Sequence, residues 1–271
     1  MYQEAGNANL IMLLNTAILP FLASLTIGYL ASKWLKRGAY LGYLGGFFVG
    51  LSLIHSGFSF PPKQAIDYLS ATIAIGLIGH LIEQGYASKK RSMIIVYPLI
   101  ALSFYWLLNP VLKHSGLTVS LFGVFICTLA SGLYLQLEKV ARKNLTPNAP
   151  FVAVLPYAAL MIIAAAAAPV VGIGGSLLLA QLLGAFAAAM FAYCLLAVGF
   201  KQVALSPFGA WLIYAGLIAQ SYVLADISIG AIILSVLTSL FTPLGLMKLE
   251  QQLSLKQLVL LFTCQIMLSL V

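Results

Sequence analysis

The sequence predicts an all-α integral membrane protein, a bundle of about ten transmembrane helices that forms one membrane domain over residues 1–271. Composition is the first observation, because 62% of the residues are hydrophobic and only 7% are charged. A soluble domain carries about 25% charged residues, so this chain cannot cover a wetted surface and most of its surface must face lipid. The apolar runs and the basic loops between them are the other two observations.

Ten apolar runs follow one another with short connections, and most approach the roughly 20 residues that a helix needs to cross a bilayer. The runs are apolar on every face instead of alternating, which favours helices over the strands of a β-barrel. The last run is short and contains Lys256, so whether it crosses is left open. The runs are Asn9–Ala31, Gly38–Ser56, Ile66–Gln84, Ser92–Leu108, Leu117–Leu137, Phe151–Ala168, Gly175–Phe200, Phe208–Leu224, Ile227–Met247 and Leu255–Val271.

Basic residues predict the topology, because cytoplasmic loops carry an excess of Lys and Arg. If the N-terminus is outside, twelve of the 14 basic residues fall inside, and only Lys63 and Lys113 fall outside. A missed span would disturb this alternation. The sequence therefore predicts the plasma membrane, as the bacterial inner membrane, with both termini outside if the last run spans. Tryptophans near the ends of runs are expected at the level of the lipid headgroups; they are Trp34, Trp106 and Trp211.

Glycines recur every four residues along the second run, at Gly38, Gly42, Gly46 and Gly50. This glycine-zipper spacing makes a smooth groove against which another helix can approach backbone to backbone. Three interpretations stay open: close packing within the bundle, a homodimer face, or a substrate path lined by bare backbone.

Prolines interrupt four runs, at Pro20, Pro98, Pro156 and Pro243. Each removes a backbone donor and frees a carbonyl, and such broken helices often form transporter sites, although simple kinks are also common. The first and sixth runs are both broken by proline, and the second and seventh are both rich in glycine. The sequence therefore predicts a possible inverted repeat of five plus five helices. In outline this resembles drug/metabolite-type carriers, which however usually begin inside the cell.

Polar groups at the predicted outer half are the candidates for binding a substrate. Asn15, Gln181 and Gln220 carry amides that are costly in lipid, so they either line a neutral cavity or bond neighbouring helices. His55 and Asp67 flank one outer loop and are expected either to converge at the outer mouth or to be ordinary interfacial groups.

At the predicted inner end, His80 and Glu83 lie three residues apart and share a helix face, as a gate or as an interfacial pair. No acid, lysine or arginine is expected near mid-membrane, which disfavours proton coupling through a buried carboxylate. No metal site or cofactor is expected, because the three cysteines lack ligand spacing and no HExxH motif occurs. No nucleic-acid motif accompanies the net charge of +8.

These features predict a permease or flippase-like transporter for a neutral or amphipathic small molecule that is not identified. Membrane lipids are the expected surroundings, and a homodimer is possible. The alternative is a non-catalytic subunit that anchors or assembles a larger membrane complex. An intramembrane enzyme is a third possibility, but Gly174-Gly175-Ser176 resembles a serine elbow only superficially and has no partner, so no catalytic residue is predicted.

Overall fold

The helices account for nearly all of the chain that the computed structural model describes, which is residues 9–35, 38–55, 59, 61–85, 89–112, 116–143, 150–200, 206–225, 227–248, 260 and 263–268. None of these residues lies in a strand, so the all-helical prediction is confirmed for them. Each helix falls on one of the predicted runs. The helices are α1 (Asn9–Trp34), α2 (Tyr40–Ile54), α3 (Tyr68–Gly85), α4 (Lys89–Leu112), α5 (Leu117–Lys143), α6 (Pro150–Ile173), α7 (Leu177–Gly199), α8 (Phe208–Leu224), α9 (Ile229–Lys248) and α10 (263–268).

Five of these helices, α1, α5, α6, α7 and α9, are long and apolar enough to cross a membrane by length and composition. The helices α2, α3, α4 and α8 contain shorter apolar segments of 10–17 residues. The outward faces of α1 and α5 carry large apolar side chains such as Leu22, Phe122 and Phe125, which are 48%, 64% and 59% exposed. Such a surface is consistent with a protein embedded in a membrane.

Neighbouring helices run in alternate directions. Gly28 of α1 lies against Gly42 of α2, while Pro20, about two helical turns earlier in α1, lies against Gly50 near the other end of α2. The bundle therefore has two ends. We name the end where α2 is followed by α3 the Asp67 end, and the opposite end, where α5 finishes, the Arg142 end.

The glycine row of α2 is covered by α1 and α7 of the same chain. A Cβ atom on Gly46 would lie 2.6 Å from the Pro20 carbonyl oxygen and 2.6 Å from the Ser24 Cβ, and one on Gly50 would lie 2.8 Å from the Ala185 Cβ. A Cβ atom would overlap its neighbours at these positions, so only the hydrogen of glycine fits. The backbone of α2 therefore packs directly against α1 and α7. All four members of the row are buried: Gly38, Gly42, Gly46 and Gly50.

Proline widens the first helix. Residues Leu14–Ile18 form a π-helical turn, and the Leu19 amide donates to the Leu14 carbonyl five residues earlier. Pro20 follows directly and has no amide hydrogen, so it cannot bond the Thr16 carbonyl as a helix requires. Turns of this kind occur frequently at functional sites. The other three prolines of the prediction lie inside helices, Pro98 in α4, Pro156 in α6 and Pro243 in α9.

Candidate functional site

The Asp67 carboxylate organises the connection before α3. Asp67 is fully buried, and its Oδ2 atom accepts hydrogen bonds of 3.0 Å from the Ser59 hydroxyl and from the backbone amides of Lys63 and Gln64. Burial raises the pKa of this carboxyl, but the hydrogen bonds from Gln64, Lys63 and Ser59 outweigh burial and bring the pKa below its usual range. The group is therefore an ionised cap that fixes the loop.

His55 ends α2 beside this carboxylate. Its Nε2 atom lies 3.1 Å from Asp67 Oδ1, within ion-pair distance but without an aligned hydrogen bond. The structure thus brings the two residues together at one end of the bundle, as the loop between them suggested. Gln220 joins the same region, because its Nε2 donates to the Ala65 carbonyl over 2.8 Å. These contacts tie α2, α3 and α8 to one loop, and a substrate-binding role for the three side chains stays a prediction.

Asn15 and Gln181 lie elsewhere, on the seam between α1 and α7. Both are half-buried, and the π-helical turn of α1 packs on α7, where a Cβ on Gly184 would lie 2.7 Å from Thr16 Cγ2. No contact among the described residues joins them to Gln220. Neither of the two cavities described below is lined by any of the three amides.

His80 is fully buried between α2, α3 and α8. Its Nε2 atom is 2.6 Å from the Tyr43 hydroxyl, and its ring packs on Tyr40 with a centroid separation of 4.7 Å. Its Nδ1 atom has no partner among the described residues. A Cβ on Gly209 would lie 3.3 Å from His80 Nε2, so α8 approaches closely here. The side chain of Glu83 lies outside the described residues, so the expected inner gate is not tested.

An ion pair at the Arg142 end was not expected. The fifth run was predicted to end at Leu137, but α5 continues to Lys143 and buries Glu138, which is 3% exposed. Arg142 Nε donates to Glu138 Oε1 over 2.7 Å, and a terminal nitrogen of Arg142 donates to the same oxygen. The expectation of no charge near mid-membrane is not tested by this pair, which lies toward one end of the bundle. The spacing of four residues between the two charges is the signal that could have indicated the pair.

Aromatic rings surround this ion pair. Trp211, predicted at the lipid headgroups, is 1% exposed instead and stacks on Tyr134 with a centroid separation of 3.9 Å. The Trp211 Nε1 atom has no partner among the described residues. The reason for the difference is packing, because α5 covers the face of α8 that carries this ring. The Arg142 guanidinium is close enough to interact electrostatically with four groups of the cluster: His80, Tyr134, Tyr157 and Tyr193.

Two cavities lie along α9. The larger, of about 90 Å³, is a partly open cavity between α6, α8 and α9 and is apolar apart from the hydroxyls of Ser221, Ser235 and Thr238. The smaller, of about 10 Å³, lies between α5, α6 and α9. We call the region that contains both cavities the α9 seam. The smaller cavity is lined by Glu138, Ala141, Arg142, Pro156, Thr242, Pro243 and Leu246.

α10 reaches the α9 seam between the two cavities. Gln265 is fully buried; its Oε1 accepts from the Thr242 hydroxyl over 2.9 Å, and its Nε2 donates to the Thr238 carbonyl over 3.2 Å. Thr242 lines the smaller cavity, whereas Thr238 and Leu268 line the larger one. One amide side chain thus bridges the single helical turn that separates a charged cavity from an apolar one.

No metal centre is found in the described part of the chain, where no three His, Cys, Asp or Glu residues group together. The three cysteines, two of them half-buried and one buried, are unpaired thiols. The chain matches no known protein family, no curated protein and no solved structure. Function must therefore be argued from the geometry of the site alone.

Proposed function

We propose that the protein is a multi-pass membrane transporter, of the permease or flippase type, for a neutral or amphipathic small molecule. The observation that carries this proposal is the α9 seam, where an apolar cavity and a charged cavity lie one helical turn apart. A molecule with a polar group and an apolar part needs both environments, and a solid apolar bundle offers neither.

Helix kinks support movement along the seam. Pro156 of α6 and Pro243 of α9 both line the charged cavity, from opposite sides. Backbone groups freed by proline are tolerated in a membrane where protein or a cavity satisfies them, and discontinuous helices often form transporter sites. Two kinks that meet at a buried ion pair are well situated to act as hinges.

The packing pattern supports the five-plus-five repeat as part of the proposal. The hairpins α1–α2 and α6–α7, which correspond under the repeat, make the most extensive contacts in the bundle. In addition, α2 packs on α7 and α3 packs on α8, so each contacts its own counterpart. Elements nearest a two-fold axis must do this in an inverted repeat.

The proposed orientation places the Arg142 end in the cytoplasm of a cell with a plasma membrane of the bacterial inner-membrane type. The basic residues Lys33 and Arg142 belong to this end, and Lys63 belongs to the other. Arginine and lysine collect on the cytoplasmic side, which supports this choice. Cysteine labelling from the outside tests it: a cysteine at position 63 should react with a membrane-impermeant maleimide, and one at position 33 should not.

Movement of a labelled lipid tests the proposed transport. We expect purified full-length protein in phosphatidylcholine vesicles to expose acyl-chain-labelled fluorescent phosphatidylcholine to external dithionite faster than protein-free vesicles do. Ala167→Phe fills the larger cavity and should lower the rate at least tenfold. Ala165→Phe, on the exposed side of the same helix, is the matched control and should match the unaltered protein. A rate equal to that of protein-free vesicles contradicts the proposal.

The second candidate function is a non-catalytic subunit of a membrane complex. Its support is the broad outward face of α1, where Leu10, Ile11 and Trp34 are 55%, 56% and 88% exposed. Native mass spectrometry of the protein extracted gently from its own membrane separates the two candidates. A stoichiometric partner chain favours the subunit, whereas a lone chain or homodimer favours the transporter.

A further inference from the structure

We infer that the α9 seam selects amphipathic molecules with a zwitterionic head group, whose anionic group contacts Arg142 and whose cationic group contacts Glu138. The apolar chain then occupies the larger cavity. This inference rests on the proposed function and names the class of molecule that the site takes.

Charge is the first argument. The ion pair of Glu138 and Arg142 is neutral as a unit and lies in the bundle, with Glu138 side chain 4% exposed. An anion that bound Arg142 alone would leave the Glu138 carboxylate buried without a partner, which is strongly unfavourable. The Arg142 side chain is 28% exposed, so the enclosed Glu138 carboxylate is the charge that most needs a partner. A zwitterion supplies a cationic group to Glu138 while its anionic group contacts Arg142, so the carboxylate stays compensated.

The exposure of the two side chains determines which of them a head group reaches first. The Arg142 side chain is 28% exposed, whereas the Glu138 side chain is almost enclosed. The anionic group therefore meets the guanidinium first. A guanidinium suits phosphate or carboxylate because its planar fork can donate two parallel hydrogen bonds.

The apolar cavity fits the chain of such a molecule. Thr242 and Thr238 line the charged and the apolar cavity respectively, and a separation of four residues along α9 is about 6 Å. The apolar cavity is lined mainly by aliphatic side chains of α6 and α9. Head-group and chain environments are thus as close together as the two parts of one lipid.

Gln265 closes the passage between the two environments in this state. It bonds both Thr238 and Thr242, and the charged cavity of about 10 Å³ holds roughly one water-sized group. Binding of a head group must therefore widen the seam. The kinks at Pro156 and Pro243 are the points where α6 and α9 can bend away from α5.

Head-group preference is the test. Phosphatidylcholine vesicles that contain purified full-length protein receive acyl-chain-labelled phosphatidylethanolamine, which is zwitterionic, or acyl-chain-labelled phosphatidylglycerol, which is anionic. We expect the zwitterionic probe to move at least tenfold faster. Glu138→Gln and Arg142→Gln should each remove this preference. Lys139→Gln, a charge removal on the same helix that does not line the cavity, is the matched control and should keep it.

A second variant guards against misfolding, since Arg142→Gln leaves the buried Glu138 carboxylate without its guanidinium. Exchange of the two residues, with Glu138→Arg and Arg142→Glu together, retains an ion pair. This variant should elute and melt like the unaltered protein but lose the preference, because each half of the zwitterion meets a like charge. If it keeps the preference, the inference is wrong.

The outcomes separate the inference from the proposed function. Equal rates for both probes overturn the inference and leave transport standing. If neither probe moves, transport of these lipids fails, and native mass spectrometry of the bound lipids decides the inference. Retention of phosphatidylethanolamine over phosphatidylglycerol that Glu138→Gln abolishes supports it, whereas equal retention overturns it.

Discussion

The helices α1, α2 and α7 pack quite differently from the α9 seam. In the first group, bare backbone meets backbone, and the Ser24 hydroxyl joins α1 to α7 through the Ala189 carbonyl over 2.8 Å. In the α9 seam, two proline kinks, a buried ion pair and two cavities lie within a few helical turns. The first region is built mainly from small residues, whereas the second contains polar residues and prolines.

This difference assigns the two regions different mechanical roles. Backbone contacts as close as these resist deformation, so α1, α2 and α7 form a rigid frame. Cavities and proline kinks remove contacts that hold a helix straight, so α9 and the adjacent part of α6 can take a second arrangement. The two roles would be contradicted if the protein still folded after a change that deforms the frame, or if changes in the seam had no measurable effect.

The largest effect is expected from Gly46→Leu in the frame. The new side chain would begin 2.6 Å from the Pro20 carbonyl oxygen, and overpacking of this kind costs about 1–3 kcal/mol or more. We expect loss of monodisperse protein in size-exclusion chromatography. Ser52→Leu on the exposed face of α2 is the control and should give a normal yield. Folded but inactive Gly46→Leu protein would favour a substrate path along the glycine row instead.

The next effect concerns the ion pair. Glu138→Gln should lower the stability by about 1–2 kcal/mol, less than the loss of a fully buried partner costs, because the Arg142 guanidinium that loses its carboxylate is 28% exposed. The double change of Glu138→Gln with Arg142→Gln should cost less than either single change, since no isolated charge remains. Thermal melting in detergent measures both. A double variant less stable than each single variant would show that the pair contributes net stability to the seam.

Hydropathy explains why the helices could be predicted and the burial of Glu138 could not. The ten runs follow from length and apolar composition, and both can be read from the local sequence without knowing how the helices pack. The end of α5 did not follow, because Glu138 and Arg142 interrupt the apolar run, and residues of α6 and α9 such as Pro156 and Pro243 pack beside them. Local composition does not show which side chains a distant part of the chain will bury.

The candidate site likewise combines a contact that the local sequence predicts with contacts that depend on distant packing. His55 and Asp67 converge because a short connection joins their helices, so their proximity is a local property of the sequence. Gln220 bonds the Ala65 carbonyl, 155 residues away, and only the packing of α8 on α3 determines this contact. Trp211 is buried for a similar reason, since α5 covers it.

A smaller effect is expected from Asp67→Asn at the opposite end of the bundle. The pKa of the Asp67 carboxyl is lowered in the folded protein, so its charge stabilises the fold above the ordinary value of 3.8. That contribution is lost as the pH falls through the lowered folded pKa. Melting temperatures of the unaltered protein and of Asp67→Asn should differ by a few degrees at pH 7 and converge in acid. A difference independent of pH would mean that shape, not charge, fixes the loop.

The smallest effect on stability, with a distinct local signature, is expected from Gln265→Leu. The change removes two hydrogen bonds, but the Thr242 hydroxyl can turn to the Thr238 carbonyl one turn earlier, so the cost is about 1 kcal/mol. Hydrogen exchange should nevertheless accelerate in α9 around Thr238 and stay unchanged in α2. Met267→Leu, 64% exposed on the same helix, is the control. If exchange in α9 is unaffected by the loss of Gln265, α10 does not hold the seam closed, and the contrast between a rigid frame and a movable seam must rest on the proline kinks alone.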